Sequence, residues 1–252
     1  VLEGGPTQAA FSAVQDAGGG RMLSRAIDVH PVIDTGGGWE AYRASLSGKL
    51  RRELGRGRRR LSELGDVAVE VLDGADGVEE ALEVAFAIEA RGWKGQRGTA
   101  IAQQPADARL FRLLAMWAAR RGWFRLGLLR LDGRPIAFQF GLEAYGVLYA
   151  LKIGYAEDEV ARQHSPGLIV VAAEIERAFA QGLRRFDFAG SAVAWNLRLA
   201  NGSRTLTELS AFPASAAGRA AHAAALGRAR AIPAAKRGRA SVRGARGRLS
   251  GR

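Results

Sequence analysis

With 252 residues, 48% of them hydrophobic, the chain is long enough to bury one ample core and part of a second. Cysteine is absent, which excludes disulfides, thiolate metal sites and a cysteine nucleophile, and the three histidines (His30, His164, His222) are too scattered for a metal cluster. The net charge of +12 is concentrated between Gly218 and Arg252, where nine arginines and Lys236 meet no acidic residue; that segment carries ten of the twelve charges and the rest of the chain is close to neutral.

In chain order, residues 4–20 and the run Gly36–Gly38 are glycine-rich and read as linkers, so residues 1–38 are expected to be a linker or the remnant of a preceding domain. Trp39 to Leu64 reads as one basic helix with Arg56–Arg60 on a solvated face. Val67–Asp73 is a predicted strand, and Val78–Arg91 and Ala106–Arg121 are predicted helices. Trp93 and Lys94 fall in the Gly-rich loop between those helices. Phe124–Leu131 and Pro135–Glu143 form two strands around Asp132-Gly133-Arg134, a strong hairpin signal, and Gly146–Tyr155 continues the meander. A loop ending in His-Ser-Pro-Gly leads to a helix over 167–182, a strand over 184–189, a short helix and a last alternating strand, Arg204–Phe212. The order β-α-α-β-β-β-α-β-(short helix)-β defines an α+β fold, a mixed and mostly antiparallel sheet flanked by helices, with one crossover helix. The domain is expected to span 39–213, followed by a disordered basic tail over 214–252 that makes weak contacts with anionic surfaces. No aromatic residue interleaves with the tail's arginines, so no specific nucleic-acid binding is expected. Apolar runs are shorter than a bilayer span and the N-terminus lacks a signal-peptide pattern, which predicts a soluble, cytoplasmic protein.

Gly146 to Gly190 carries the most chemistry. Ser165, Pro166 and Gly167 suit an N-cap, a first-turn proline and a close backbone approach, and such a helix start leaves amide donors at a positive dipole end where a phosphate binds. The same three residues also suit a helix that simply begins well. Lys152 lies in an otherwise apolar strand, where an unpaired ammonium is costly, and Asp187 on the next strand is its expected partner. That pair is either a structural ion pair or part of substrate binding and proton transfer. Tyr155, at the strand end, offers a phenolic proton or packing area.

These elements resemble the GNAT acyltransferase fold, and the residues resemble its CelD-like branch, which is similar in turn to the FemABX peptidyltransferases. The resemblance rests on Arg91–Ile101 (RGWKGQRGTAI), Asp132–Phe138 (DGRPIAF), Tyr149-x-x-Lys152-x-x-Tyr155, Ser165–Gly167 (SPG) and Phe186–Ser191 (FDFAGS), together with the basic helix at 39–64, and covers about residues 39 to 212. It implies N-acyl transfer from acetyl-CoA or another acyl-CoA to an amine on a small molecule or polysaccharide precursor, direct, with neither acyl-enzyme nor metal. The implied roles are catalysis for Lys152, Tyr155 and Asp187, binding of the acyl-CoA pyrophosphate for Arg162, His164, Ser165, Pro166 and Gly167, and acceptor binding for Trp93 and Lys94. Family members usually carry two such halves, and this chain begins at Val1, so a truncated N-terminal half is expected. Ala161–Gly167 (ARQHSPG) stands where the common glycine-rich signature would be. A FemABX-like aminoacyl or peptidyl transferase of cell-envelope assembly, and a noncatalytic module, are the alternatives.

Overall fold

The computed structural model of the chain describes residues 1–157 and 163–231, the side chains of residues 230 and 231 excepted. The chain divides into two compact units, one of Val32–Gly190 with Ala194–Gly202, the other of Val1–Pro31, Ser191–Val193 and the residues from Ser203 on.

The larger unit holds α2 (Trp39–Ser45), α3 (Gly48–Ser62), β2 (Val67–Leu72), α4 (Val78–Ala90), α5 (Trp93–Gln96), a 3₁₀ turn at Ile101–Gln103, α6 (Pro105–Ala119), β3 (Phe124–Leu131), β4 (Arg134–Ala144), β5 (Val147–Tyr155), α7 (Pro166–Ala180), β6 (Arg185–Asp187) and α8 (Ala194–Leu197). Its strands lie in the order β2-β3-β4-β5-β6, and residues 32–34 of β1 (Arg21–Asp34) pair antiparallel with β6 at the far side. All neighbours are antiparallel except β5 and β6. Two-residue turns close the meander. Asp132 and Gly133 have φ of 49° and 73°, Tyr145 and Gly146 have 54° and 71°, the paired left-handed geometry that matches strand twist. Asp132 also reaches beyond its turn, its carboxylate accepting the Asp66 N–H at 2.8 Å and holding the start of β2 to the hairpin.

Helices cover both faces of this sheet. Leu82 and Phe86 of α4 and Ala115 of α6 pack on Phe124, Leu126, Leu128, Phe138 and Phe140. On the other face α7 buries Ile169 and Val170 against Leu129, Ile136 and Ala137, and Val171 and Ile175 against Leu148 and Phe186, with Tyr42, Leu50 and Leu61 of α2 and α3 alongside. Glu174 of α7 faces the sheet at Gly127, where a Cβ would sit 2.7 Å from its Oε1. Burial pushes that carboxyl above the usual carboxylate range against the pull of Arg177 and Arg125. The basic helix read as continuous over 39–64 is two helices, because the chain turns extended at Leu46 and Ser47 then caps α3, its Oγ accepting the Leu50 N–H at 3.2 Å.

The smaller unit corrects both ends of the sequence reading. Residues expected to be linker form α1 (Pro6–Ala17) and the fourteen-residue β1, whose residues up to Pro31 lie beside β7 (Gly202–Phe212). Leu2 bridges Leu206, and Gln15 Nε2 donates to the Phe212 carbonyl at 3.0 Å. The segment expected to be disordered from 214 on is α9 (Ala216–Ala231), alanine-rich and so of high intrinsic helix propensity, and its His222 ring meets Phe212 at 5.2 Å. The rest of the expected tail lies outside the described residues.

Candidate active site

A wedge opens where β5 and β6 part. Their parallel ladder has three pairs, Val147↔Arg185, Leu148↔Phe186 and Tyr149↔Asp187, after which β5 runs on to Tyr155 without β6 beside it. On its other edge β5 slips register against β4. Gly141 faces Ala150 and Phe140 faces Lys152, so Leu151 is an extra residue of a β-bulge. A cleft of about 730 Å³ occupies the wedge. Trp93, Tyr155, Phe188 and Trp195 supply its aromatic walls, Lys94 and Lys152 line it, Glu53 of α3 and Arg198, just past α8, line it as an ion pair, and the first turn of α7 borders it.

The start of α7 differs from its sequence reading. Ser165 is left-handed (φ 50°, ψ 53°) and its side chain makes no cap; its carbonyl instead accepts the N–H groups of Leu168 (2.9 Å) and Ile169 (3.2 Å). Pro166 has no N–H, so the donor set at this terminus narrows to Gly167. A Cβ at Gly167 would lie 2.9 Å from Cδ1 of the Tyr155 ring, so any larger residue there must displace that ring. His164 is buried, and its Nδ1 has no partner among the described residues. Arg162 lies outside the described residues.

A charged cluster beside the cleft, with Glu89 behind the two lysines that line it, was not foreseen. Glu89, on the last turn of α4, is 2% exposed and its Oε1 accepts both Lys94 Nζ at 2.6 Å and Lys152 Nζ at 3.1 Å. Its Oε2 accepts the Ile101 N–H at 2.9 Å. Burial works to raise the Glu89 carboxyl, but the hydrogen bonds from Lys94 and Ile101 and the two ammonium charges outweigh it and hold the group below the usual carboxylate range. Burial also pulls Lys152 below the usual lysine range, and the neighbouring Lys94 charge adds to it against the attraction of Glu89.

The expected Lys152–Asp187 pair is therefore wrong. Asp187 sits opposite Tyr149, three residues short of Lys152, about 10 Å along the strand. It is buried, and its carboxylate accepts the Ala189 N–H at 2.8 Å across a left-handed turn rather than any lysine. Lys152, Tyr155, Trp93, Lys94, Ser165, Pro166 and Gly167 all line the cleft; Asp187 and His164 do not. Trp93 belongs to a short helix, not a loop, and is 39% exposed, with Arg97 5.1 Å from its ring centroid. Of the residues the sequence reading missed, Glu89 had a signal. It falls on the buried stripe of α4 with Leu82, Ala85, Phe86 and Ile88, where a carboxylate needs a partner. Among the described residues no group of three or more His, Asp or Glu is placed to hold a metal ion, and no helix is long and apolar enough to cross a membrane.

A mixed sheet whose central parallel pair splays over a cleft, beside the start of a crossover helix, is the architecture of an acyl-transfer enzyme. The family model of the acetyltransferase (GNAT) domain matches residues 48–197, and the chain belongs to that family; it is a GNAT-type acyltransferase. No curated protein matches. Solved structures similar to it include the C-terminal domain of a protein described as a lysylphosphatidylglycerol synthetase from Agrobacterium fabrum (TM-score 0.53, 14% identity, 84% of this chain and 66% of that one). L-PGS from Bacillus licheniformis (TM-score 0.52, 14% identity, 82% and 66%) and FemX (TM-score 0.54, 13% identity, 83% and 68%) are similar too. At these identities the likeness is one of fold. The chain spans about two thirds of the length of each.

Proposed function

We propose that the protein transfers an acyl group from acyl-CoA directly to an amine acceptor in the β5/β6 cleft. The observation that carries this reading is the edge of β5 from Ala150 to Tyr155, unpaired among the described residues, whose end lies against the start of α7 at Gly167. An extended amide-bearing arm can pair with such an edge as an added strand, and the helix start receives the anionic end of the donor. The fit is supported by the N–H of Gly167, which lines the cleft at the start of α7. Trp93 and Tyr155 bracket the region where the acceptor would lie.

The chemistry asked of the side chains is modest. As the acceptor nitrogen bonds the acyl carbon it sheds a proton, which Lys152 takes in its neutral form; the C–S bond breaks, and the Tyr155 hydroxyl gives a proton to the departing sulfur. Exchange with solvent resets both groups. The aromatic walls exclude water from the thioester, and absence of cysteine agrees with direct transfer.

The test is release of free CoA from a panel of acyl-CoAs with amine acceptors, followed with a thiol reagent, to which this cysteine-free chain contributes no background. Acceptor-dependent release supports the reading; no release, with no change in melting temperature at saturating CoA, overturns it. A second reading, an aminoacyl group delivered by tRNA, is favoured by the exposed arginines 51, 52, 56, 59 and 60 of α3, the helix that also contributes Glu53 to the cleft. Transfer from a charged tRNA without acyl-CoA turnover would decide for it. The acceptor's identity, and a cytoplasmic location, belong to the same proposal.

A further inference from the structure

Glu89 serves two lysines with one oxygen. Two ammonium groups within hydrogen-bond reach of the same carboxylate oxygen leave the cluster with one positive charge too many for a half-buried site, and the excess is relieved when one amine loses its proton. The geometry says which. Lys94 has the shorter contact, 2.6 Å against 3.1 Å, and so keeps the stronger charge-assisted bond. Lys152 comes from the sheet floor, lines the cleft and lies 5.6 Å from the Phe111 ring of α6.

We propose that Glu89 is the positioning residue of the transfer: by fixing Lys94 as the permanent cation on a shared carboxylate oxygen, it makes Lys152 the amine that accepts the proton shed by the attacking acceptor. This deepens the reading of Lys152 given above and rests on it for the identity of the reaction, though not for the protonation states. When Lys152 takes that proton the cluster briefly holds two ammoniums, and Glu89, already in contact with both, steadies the second. The other charged and titratable groups facing the cluster are Arg97 beside Trp93 on α5, Tyr155 and Glu157 at the end of β5, and the Glu53–Arg198 pair across the cleft. Depression of the Lys152 amine, caused first by burial and then by the Lys94 charge, agrees with the assignment.

The chain has four lysines, at 49, 94, 152 and 236, so lysine side-chain resonances can be titrated individually by NMR. Three proteins suffice: the native chain, Glu89→Gln and Lys94→Met. In the native chain Lys152 should titrate below the other lysines. Removing the carboxylate charge with Glu89→Gln should lower the Lys152 midpoint further, and removing the like charge with Lys94→Met should raise it, each by about one pH unit. The acidic limb of the transfer rate against pH should move the same way in each variant, and Glu89→Asp should restore part of the native profile. A merely structural Glu89 shifts the midpoint of its lysine partner but leaves the acidic limb of the rate in place. Lys152 titrating alike in all three proteins overturns the proposal, and if Glu89→Gln does not fold, an unmoved midpoint in Lys94→Met overturns it equally. Opposite shifts without any acyl-CoA turnover would sustain the proton arrangement while refuting the acyl-CoA reading, so the two fail separately.

Discussion

Replacing Glu89 with leucine strands the Lys94 ammonium and the Lys152 amine, whereas replacing Lys152 with methionine leaves Glu89 still bonded to Lys94 and to the Ile101 N–H. The two substitutions should therefore differ sharply in cost. Breaking a buried pair by removing one partner typically costs about 3–5 kcal/mol. Lys94 and Lys152 are 25% and 23% exposed and partly rehydrate, which reduces the charge penalty, while the orphaned Ile101 N–H adds about 1–3 kcal/mol. Glu89→Leu is thus expected to destabilise by about 3–4 kcal/mol and Lys152→Met by no more than about 1 kcal/mol, since the latter removes a desolvated polar group and leaves Glu89 paired. At about 2–4 °C per kcal/mol for a chain of this size, the melting temperatures of the two variants should lie several degrees apart. The assay is chemical and thermal unfolding of the single variants and of the double variant, which should recover part of the Glu89→Leu loss. Equal costs for the two single variants, or coupling of Lys152 to Asp187 in place of Glu89, would refute the geometry.

Because the Glu89 carboxyl is held below its unfolded value, its contribution to stability is complete above the ordinary carboxylate range and is lost as pH falls through the depressed folded value; the native chain should lose stability between those two points, and Glu89→Gln should lose less. Saturating CoA should slow hydrogen exchange at Gly167, and unchanged exchange there would remove the helix start from donor binding. Gly167→Ala must displace the Tyr155 ring and should raise the KM for the donor several-fold, with a melting temperature within a few degrees of native, because that ring is 36% exposed and free to yield. Trp93→Ala should raise the KM for the acceptor more than that for the donor; the reverse order would exchange the two subsites.

What the residues disclosed on their own follows from how local their signals are. The Asp132-Gly133 turn, the alternation of β3 to β5 and the Ser-Pro-Gly start of α7 are written in a few adjacent residues, and each element stands within a few residues of its expected place. Lys152, Tyr155 and Trp93 meet in one cleft because the order of elements brings them there. The partner of Lys152 was not legible, because register decides it. Three ladder pairs carry Asp187 to Tyr149, and a bulge at Leu151 then resets the facing of β5, neither of which is written in the residue types. Glu89 was hidden in a helix whose other positions are apolar or solvated, and β1 was hidden by Pro31 and by the exposed run of residues 24–27, which breaks the alternation expected of a strand. The alanines of α9 were overshadowed by the arginines that follow them.

β6 is three residues long, yet those three pair on one side with β5 and on the other with Val32, Ile33 and Asp34. The angle of the wedge and the anchorage of that end of β1 thus hang on the same few peptide groups. A backbone change at Phe186, the middle residue, is expected to slacken both ladders together and so to alter the width of the wedge without touching the side chains that line it. Engineering the cleft for a larger acyl group would accordingly begin at Arg185–Asp187, outside the lining altogether.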